Sequence, residues 1–142
     1  MKGVLVALDV GTVRVGVAAS DPHQVLASPV ATLPAADLAG AAAIVREREA
    51  VRVVVGLPRT LAGREGPSVA MARAYAERLV PLIAPVPVDL VDERLTTVMA
   101  ERALAGAGIR AKGRRSVVDQ AAAVALLQSV LDGARPPTEP NA

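Results

Sequence analysis

The chain has 142 residues, 52% of them hydrophobic, which suits one domain with a sizeable core, and no segment is long and apolar enough to span a membrane. It contains no cysteine, which excludes disulfides and thiolate metal sites and fits a cytoplasmic location. The net charge is only +2 with a pI of about 9.7, and the single aromatic residue excludes binding of single-stranded nucleic acid by base stacking.

The first part of the chain predicts a hairpin, a third strand and a helix. Two apolar runs, 2–8 and 13–19, are joined by a short glycine turn, which is typical of a β-hairpin. Residues 25–33 predict a third strand, and Pro29 favours an edge position for it because proline cannot donate a hydrogen bond to a neighbouring strand. Apolar residues at helical spacing predict a helix over 35–50.

Strands and helices then alternate. The β-branched run 51–56 predicts a buried parallel strand, and the Gly-, Pro- and Arg-containing segment 57–67 predicts a loop. Ser68 is the predicted N-cap of a helix that ends near Ile83, and residues 86–91 predict another strand.

The last third predicts two more helices around a basic loop. The first helix begins at Thr96 or Thr97, the loop covers 105–115, and a helix that is apolar nearly all round covers 116–131. The expected architecture is a single α/β domain over 1–134, a mixed sheet with helices on its faces, followed by a disordered tail over 135–142.

Three carboxylates are the candidates for chemistry. Asp9 ends the first predicted strand, where ligands bind in open α/β sheets, although Asp near Gly also suits a hairpin turn. Glu93 follows a buried strand, although acids there also suit a helix N-terminus. Asp119 shares a predicted helix face with Ala123, although Ser116 to Asp119 also matches a capping box. Such oxygen ligands suit Mg²⁺ or Mn²⁺.

Two basic segments are candidates for binding phosphate. Arg59 and Arg64 lie in the loop before the helix predicted at Ser68, although the same residues suit an ordinary surface loop. The segment RAKGRR places cations shortly before Asp119, although a charge run is also typical of a solvated linker. Its candidate residues are Lys112, Arg114 and Arg115.

Four stretches together resemble the YqgF (RuvX) family of RNase H-like nucleases. They are LDVGTVRVGVAASDP, then VVVGLP followed by Gly63–Gly66, then VDERLTT, then VDQAAAVALLQ, in the family's order over nearly the whole chain. DVGT alone also resembles the first phosphate loop of actin-like ATPases, but 142 residues leave no room for the second domain of that fold.

The resemblance implies an RNase H-like fold with five strands, the first three antiparallel and the last two parallel. It implies a Mg²⁺-dependent nuclease site on Asp9, Glu93 and Asp119, which acts on the 5′ end of pre-16S rRNA in ribosome biogenesis. Two ions about 4 Å apart would bind between these carboxylates. Arg14 and Arg94 would orient carboxylates or contact phosphate.

Two alternatives of other kinds stay open. The first alternative is a Holliday junction resolvase, which acts on branched DNA. The second is a nucleic-acid-binding module that keeps the fold without catalysis. The sequence does not choose between RNA and junction DNA, between endonuclease and exonuclease, or between monomer and homodimer. It also leaves open whether Asp92 joins the metal site.

Overall fold

The computed structural model describes residues 2–57, 66–92 and 115–134, and these contain five strands and three helices. The strands are β1 (Leu5–Val10), β2 (Arg14–Ser20), β3 (Ala27–Pro34), β4 (Arg52–Leu57) and β5 (Val88–Asp92). The helices are α1 (Leu38–Glu47), α2 (Pro67–Ile83) and α3 (Arg115–Ala134). The helix predicted from Thr96 or Thr97, nearly all of the basic loop and the tail lie outside the described residues.

The strands form one mixed sheet in the order β3-β2-β1-β4-β5. β2 pairs antiparallel with both β1 and β3, whereas β4 pairs parallel with β1 and β5. This arrangement confirms the predicted fold, including the edge position of the strand that carries Pro29. The parallel pairs are possible because helices connect their strands, α1 between β3 and β4 and α2 between β4 and β5.

The turn between β1 and β2 begins after Asp9. The N–H of Gly11 donates a hydrogen bond of 2.9 Å to the carbonyl oxygen of Arg14, and a Cβ at Gly11 would lie 2.9 Å from the same oxygen. Gly11 therefore serves the turn, and β1 continues through Asp9 to Val10. The alternative that Asp9 is a turn residue is wrong.

One predicted helix start is wrong, and so is one of the alternatives left open. The N-cap of α2 is Gly66 rather than Ser68, because Pro67 occupies the first helical position, where its fixed φ and missing N–H cost nothing. Ser116 lies inside α3, so it is not the N-cap that a capping box requires. The N-cap of α1 is Asp37, whose carboxylate accepts a hydrogen bond of 2.8 Å from the N–H of Gly40.

Helices cover both faces of the sheet. α1 and α2 pack on one face and enclose the larger core, termed here the α1/α2 core, which includes Leu8, Val17 and Leu79. α3 packs on the other face, over β1, β2 and β3, and encloses the α3 core, which includes Ala7, Ala18 and Leu126. Within the described ranges, none of the helices combines the length and apolar content needed to cross a lipid bilayer.

The turn between β2 and β3 contains the only histidine of the chain. Asp21 shapes this turn, since its carboxylate accepts hydrogen bonds from the N–H groups of Leu26, Val25 and His23. These bonds, the one from Leu26 foremost, lower the pKa of Asp21. Both side chains therefore belong to a structural turn.

Candidate functional site

Asp9 occupies the centre of a row of residues that crosses all five strands. Its partner on β2 is Gly16, and the partner of Gly16 on β3 is Thr32. On the other side, Leu8 pairs with Val55 of β4, so the next residue of β4, Gly56, lies beside Asp9. Gly56 in turn pairs with Val91 on β5. The row, termed here the Asp9 row, is Thr32, Gly16, Asp9, Gly56 and Val91.

The Asp9 row faces α3. Alternate residues of a strand point to the same face of the sheet, and Asp9 is two residues after Ala7, which packs in the α3 core. By the same alternation Gly16 shares a face with Ala18, and Val91 packs against the α3 core directly. The carboxylate of Asp9 therefore lies on the side of the sheet where α3 carries Asp119.

The carboxylate of Asp9 is buried, with 7% of the residue exposed. A buried carboxylate is costly to desolvate, yet Asp9 lies between two glycines that contribute no side chain to fill the space beside it. A carboxylate oxygen is the donor chemistry that Mg²⁺ and Mn²⁺ prefer. The Asp9 row therefore fits a hard divalent cation.

The structure brings some of the predicted site residues to this end of the sheet. Arg14 begins β2 and shares the face of Gly16, two residues away, and Asp119 belongs to α3. Glu93 follows the last residue of β5 and lies outside the described residues. Among the residues that the structure describes, no group of three His, Asp or Glu side chains could hold a metal ion.

Most of the predicted phosphate-binding residues also lie outside the described ranges. Arg115 is the first residue of α3. The residues outside are Arg59, Arg64, Arg94, Lys112 and Arg114.

Asp92 lies on the opposite face of the sheet from Asp9. It pairs with Leu57 of β4, and Leu57 packs in the α1/α2 core. Paired residues on neighbouring strands share a face, so the β5 position that shares the face of Asp9 is Val91. Asp92 therefore ends β5 on the α1/α2 face of the sheet, and its part in a metal site stays a question for experiment.

A cleft of about 480 Å³ includes one residue of the Asp9 row, Val91, in its lining. It runs along β4 and β5 on the α3 side, from Arg52 to Val91, with Val130 of α3 along its wall. Arg52 and Asp89 form an ion pair of 3.0 Å there, with both side chains about half exposed. The cleft therefore lies mainly beside the first residues of β1 and β4, at the other end of β1 from Asp9.

Two residues of this region, Gln120 and Thr32, were not predicted from the sequence as part of the site. The side-chain amide of Gln120 donates a hydrogen bond of 3.0 Å to the hydroxyl of Thr32, and 88 positions separate the two residues in the chain. Thr32 belongs to the Asp9 row, and Gln120 directly follows Asp119. A single polar contact over such a separation has no local pattern that would reveal it.

The chain is similar to the members of a known protein family. A sequence profile described as RuvX: Holliday junction resolvase matches residues 3–133. A relative from Frankia casuarinae is 57% identical, and the match covers 97% of this chain and 71% of the relative. One from Nocardia farcinica is 53% identical, with 92% and 78% covered. Both relatives are provisionally named pre-16S rRNA nucleases.

Among solved structures, the chain resembles Thermus thermophilus RuvC in complex with a Holliday junction substrate. The TM-score is 0.58 at 15% identity, and the match covers 93% of this chain and 95% of RuvC. At this level of identity the likeness concerns the fold, and it confirms the predicted RNase H-like architecture.

Proposed function

The chain belongs to the RuvX family, and on that premise we propose that it is a metal-dependent nuclease that hydrolyses phosphodiester bonds in the precursor of 16S rRNA. The activity belongs to ribosome biogenesis, and its place is the cytoplasm, where bacterial ribosomal RNA is made. The observation that carries the proposal is the buried carboxylate of Asp9 between Gly16 and Gly56, on the face that α3 covers.

Asp9, Glu93 and Asp119 are the proposed metal ligands. β1 is the central strand, with Asp9 paired to Gly16 of β2 on one side and β4 on the other, so its backbone position is well defined. Glu93 follows Val91 by two positions, the spacing of residues that share a strand face. Asp119 precedes Ala123 of the α3 core by four positions, about one helical turn.

Each group of residues has a distinct task in the proposal. The three carboxylates hold two Mg²⁺ or Mn²⁺ ions, which when bound activate water and neutralise charge on the phosphate. The glycines beside Asp9 leave space for the phosphodiester backbone. Arg14 and Arg94 orient carboxylates or contact phosphate, and a second set of cations binds the rest of the nucleic acid through its phosphates. That set is Arg59, Arg64, Lys112, Arg114 and Arg115.

The proposed substrate is structured RNA. The support comes from the names of the relatives that are more than half identical to the chain. The second candidate is resolution of Holliday junctions, which the description of the family profile favours. Resolution requires two cuts related by symmetry and therefore a homodimer, whereas trimming of RNA does not.

The test compares a precursor of 16S rRNA with a four-way DNA junction, with and without Mg²⁺, for the wild type and Asp9→Asn. We expect Mg²⁺-dependent cleavage of the RNA, reduced at least about a hundredfold in Asp9→Asn, because the variant loses a preorganised charge. A folded Asp9→Asn variant with wild-type activity contradicts the proposal.

Two further results of this test identify the alternatives. Cleavage of the junction alone, by a protein with the solution mass of a dimer, favours the resolvase. Salt-sensitive binding of both substrates without cleavage favours a binding module.

A further inference from the structure

Two glutamine side chains join α3 to the edge strand β3. Gln120 donates to the hydroxyl of Thr32 at 3.0 Å. Gln128 accepts a hydrogen bond of 2.9 Å from the N–H of Ala27 and donates one of 3.0 Å to the carbonyl oxygen of Val25. Eight positions, slightly more than two turns, separate the glutamines, so both lie on a similar side of α3.

The two glutamines differ in the part of the sheet that they reach. The partner of Gln120 is a member of the Asp9 row, since Thr32 pairs with Gly16, which pairs with Asp9. The partners of Gln128 are at the first residue of β3 and in the turn before it, at the other end of the strand. Of the bonds made by these two glutamines, the one from Gln120 is the one that reaches the Asp9 row.

The apolar contacts of α3 near the Asp9 row involve small side chains. Ala122 and Ala123 pack in the α3 core together with Ala7 and Ala18, and all four are nearly or fully buried. The larger side chains of the α3 core, Leu126, Leu127 and Leu131, lie in later turns of the helix, so apolar contacts restrain the rotation and axial position of its first turns less. A hydrogen bond is directional, so the bond between Gln120 and Thr32 restrains both.

We propose that Gln120 and Thr32 are positioning residues of the nuclease site. Their hydrogen bond fixes the first turns of α3 against the Asp9 row and so holds Asp119 at the distance from Asp9 that metal binding requires. This inference rests on the proposed function, which makes Asp9 and Asp119 ligands of the same site. Residues that orient metal ligands from outside the ligand set typically contribute about tenfold or more to metal affinity.

The experiment separates positioning from stability by measuring Mn²⁺ affinity by calorimetry and unfolding by urea. Thr32→Val removes the hydroxyl at nearly constant shape, Gln120→Ala removes the same bond from the other side, and Thr32→Ser retains it. Gln128→Ala is the matched control, because Gln128 also joins α3 to the β3 region, through backbone groups, away from the Asp9 row.

We expect Thr32→Val and Gln120→Ala each to weaken Mn²⁺ binding by about tenfold. The double variant should be no weaker than either single variant, because both substitutions remove one bond. Thr32→Ser should bind like the wild type. Gln128→Ala should lower stability and keep wild-type Mn²⁺ affinity.

Wild-type affinity in both Thr32→Val and Gln120→Ala overturns the inference, as does an equal loss of affinity in Gln128→Ala. Asp9→Asn, measured alongside, distinguishes this failure from failure of the proposed function. Loss of Mn²⁺ binding in Asp9→Asn with wild-type binding in Thr32→Val and Gln120→Ala rejects only the positioning role. Wild-type binding in Asp9→Asn rejects the metal site itself.

Discussion

The two faces of the sheet are built from different side chains. The face under α1 and α2 is lined by fully buried valine and leucine, such as Leu8, Val15 and Val55, and Leu79 of α2 packs against them. The face under α3 contributes smaller residues from its central strands and ends in a buried carboxylate between two glycines. The first face buries mainly large apolar side chains. The second buries less apolar surface and accommodates a charged group.

This difference also affects how the helices are held. α2 is fixed by large apolar side chains that interdigitate, such as Leu79 and Ile83. α3 combines its apolar contacts with side-chain hydrogen bonds to β3 from Gln120 and Gln128. The directional bonds are on the face that carries Asp9, so the two faces should respond differently to substitution.

The largest expected effect comes from truncating one buried leucine on each face. Leu79 and Leu126 are both 0% exposed. Replacement by alanine should lower the free energy of unfolding by about 3 kcal/mol in each case, because each leaves a cavity. Only Leu126→Ala, which loosens α3, should also weaken Mn²⁺ binding. Urea unfolding measures the stability of each variant, and calorimetry measures its Mn²⁺ affinity. Equal Mn²⁺ affinities in the two variants would contradict a functional difference between the faces.

An intermediate effect is expected at Gly16, the partner of Asp9. Gly16→Ala adds a methyl group about 5 Å from the Cβ of Asp9, in the space assigned to the phosphate. Cleavage should fall about tenfold, or about 1.4 kcal/mol in barrier height. Stability should rise slightly, because alanine suits a strand interior better than glycine.

Gly133→Ala is the matched control for Gly16→Ala. A Cβ at Gly133, in α3, would meet nothing within 4 Å, so this variant should gain stability and keep wild-type cleavage. Unchanged cleavage in Gly16→Ala would show that the space beside Asp9 is not used.

The smallest effect at neutral pH concerns a polar atom in the α1/α2 core. The hydroxyl of Tyr75 is buried and has no hydrogen-bond partner among the residues that the structure describes. Tyr75→Phe should raise the free energy of unfolding by about 1 kcal/mol, because it removes an unsatisfied polar group, and should leave cleavage unchanged. Urea unfolding at pH 7 measures this, and a loss of stability would show that the hydroxyl has a partner in solution.

The same tyrosine predicts a pH dependence. Burial, with a smaller contribution from the charge of Asp37, raises the pKa of Tyr75 from 10 to about 12. The folded protein holds the proton of the Tyr75 hydroxyl more tightly than the unfolded chain does. The resulting contribution to the free energy of unfolding is complete below pH 10 and is lost as the pH rises toward 12. The wild type should therefore lose about 2 kcal/mol more than Tyr75→Phe between pH 9 and pH 12. Parallel losses in the two proteins would contradict the assignment.

Much of the fold could be predicted because the apolar runs and turns are local signals. Alternating and β-branched runs predicted all five strands, and Pro29 predicted which strand lies at an edge. Errors occurred at boundaries where two residues compete for one role. Ser68 is a good N-cap by type, but Pro67 already begins the helix. Similarly, residues 35 to 37 precede α1, because Asp37 caps it.

The site was predictable only in part, for a physical reason. Asp9 stood out as a charge inside an apolar run, and the sheet register shows what that pattern could not, that glycines lie on both sides of it. The bond between Gln120 and Thr32 depends on how α3 packs across the sheet, which no local pattern encodes. The face of Asp92 likewise required the register of β5.

The central claim is that the face of the sheet under α3 holds the metal at Asp9. The most direct test is Mn²⁺ binding measured by calorimetry for the wild type, Asp9→Asn and Asp92→Asn. The two aspartates differ in face, since Asp92 pairs with Leu57 of the α1/α2 core. We predict that Asp9→Asn loses measurable binding and that Asp92→Asn binds like the wild type. Wild-type binding by a folded Asp9→Asn variant, or its loss in a folded Asp92→Asn variant alone, would contradict the claim.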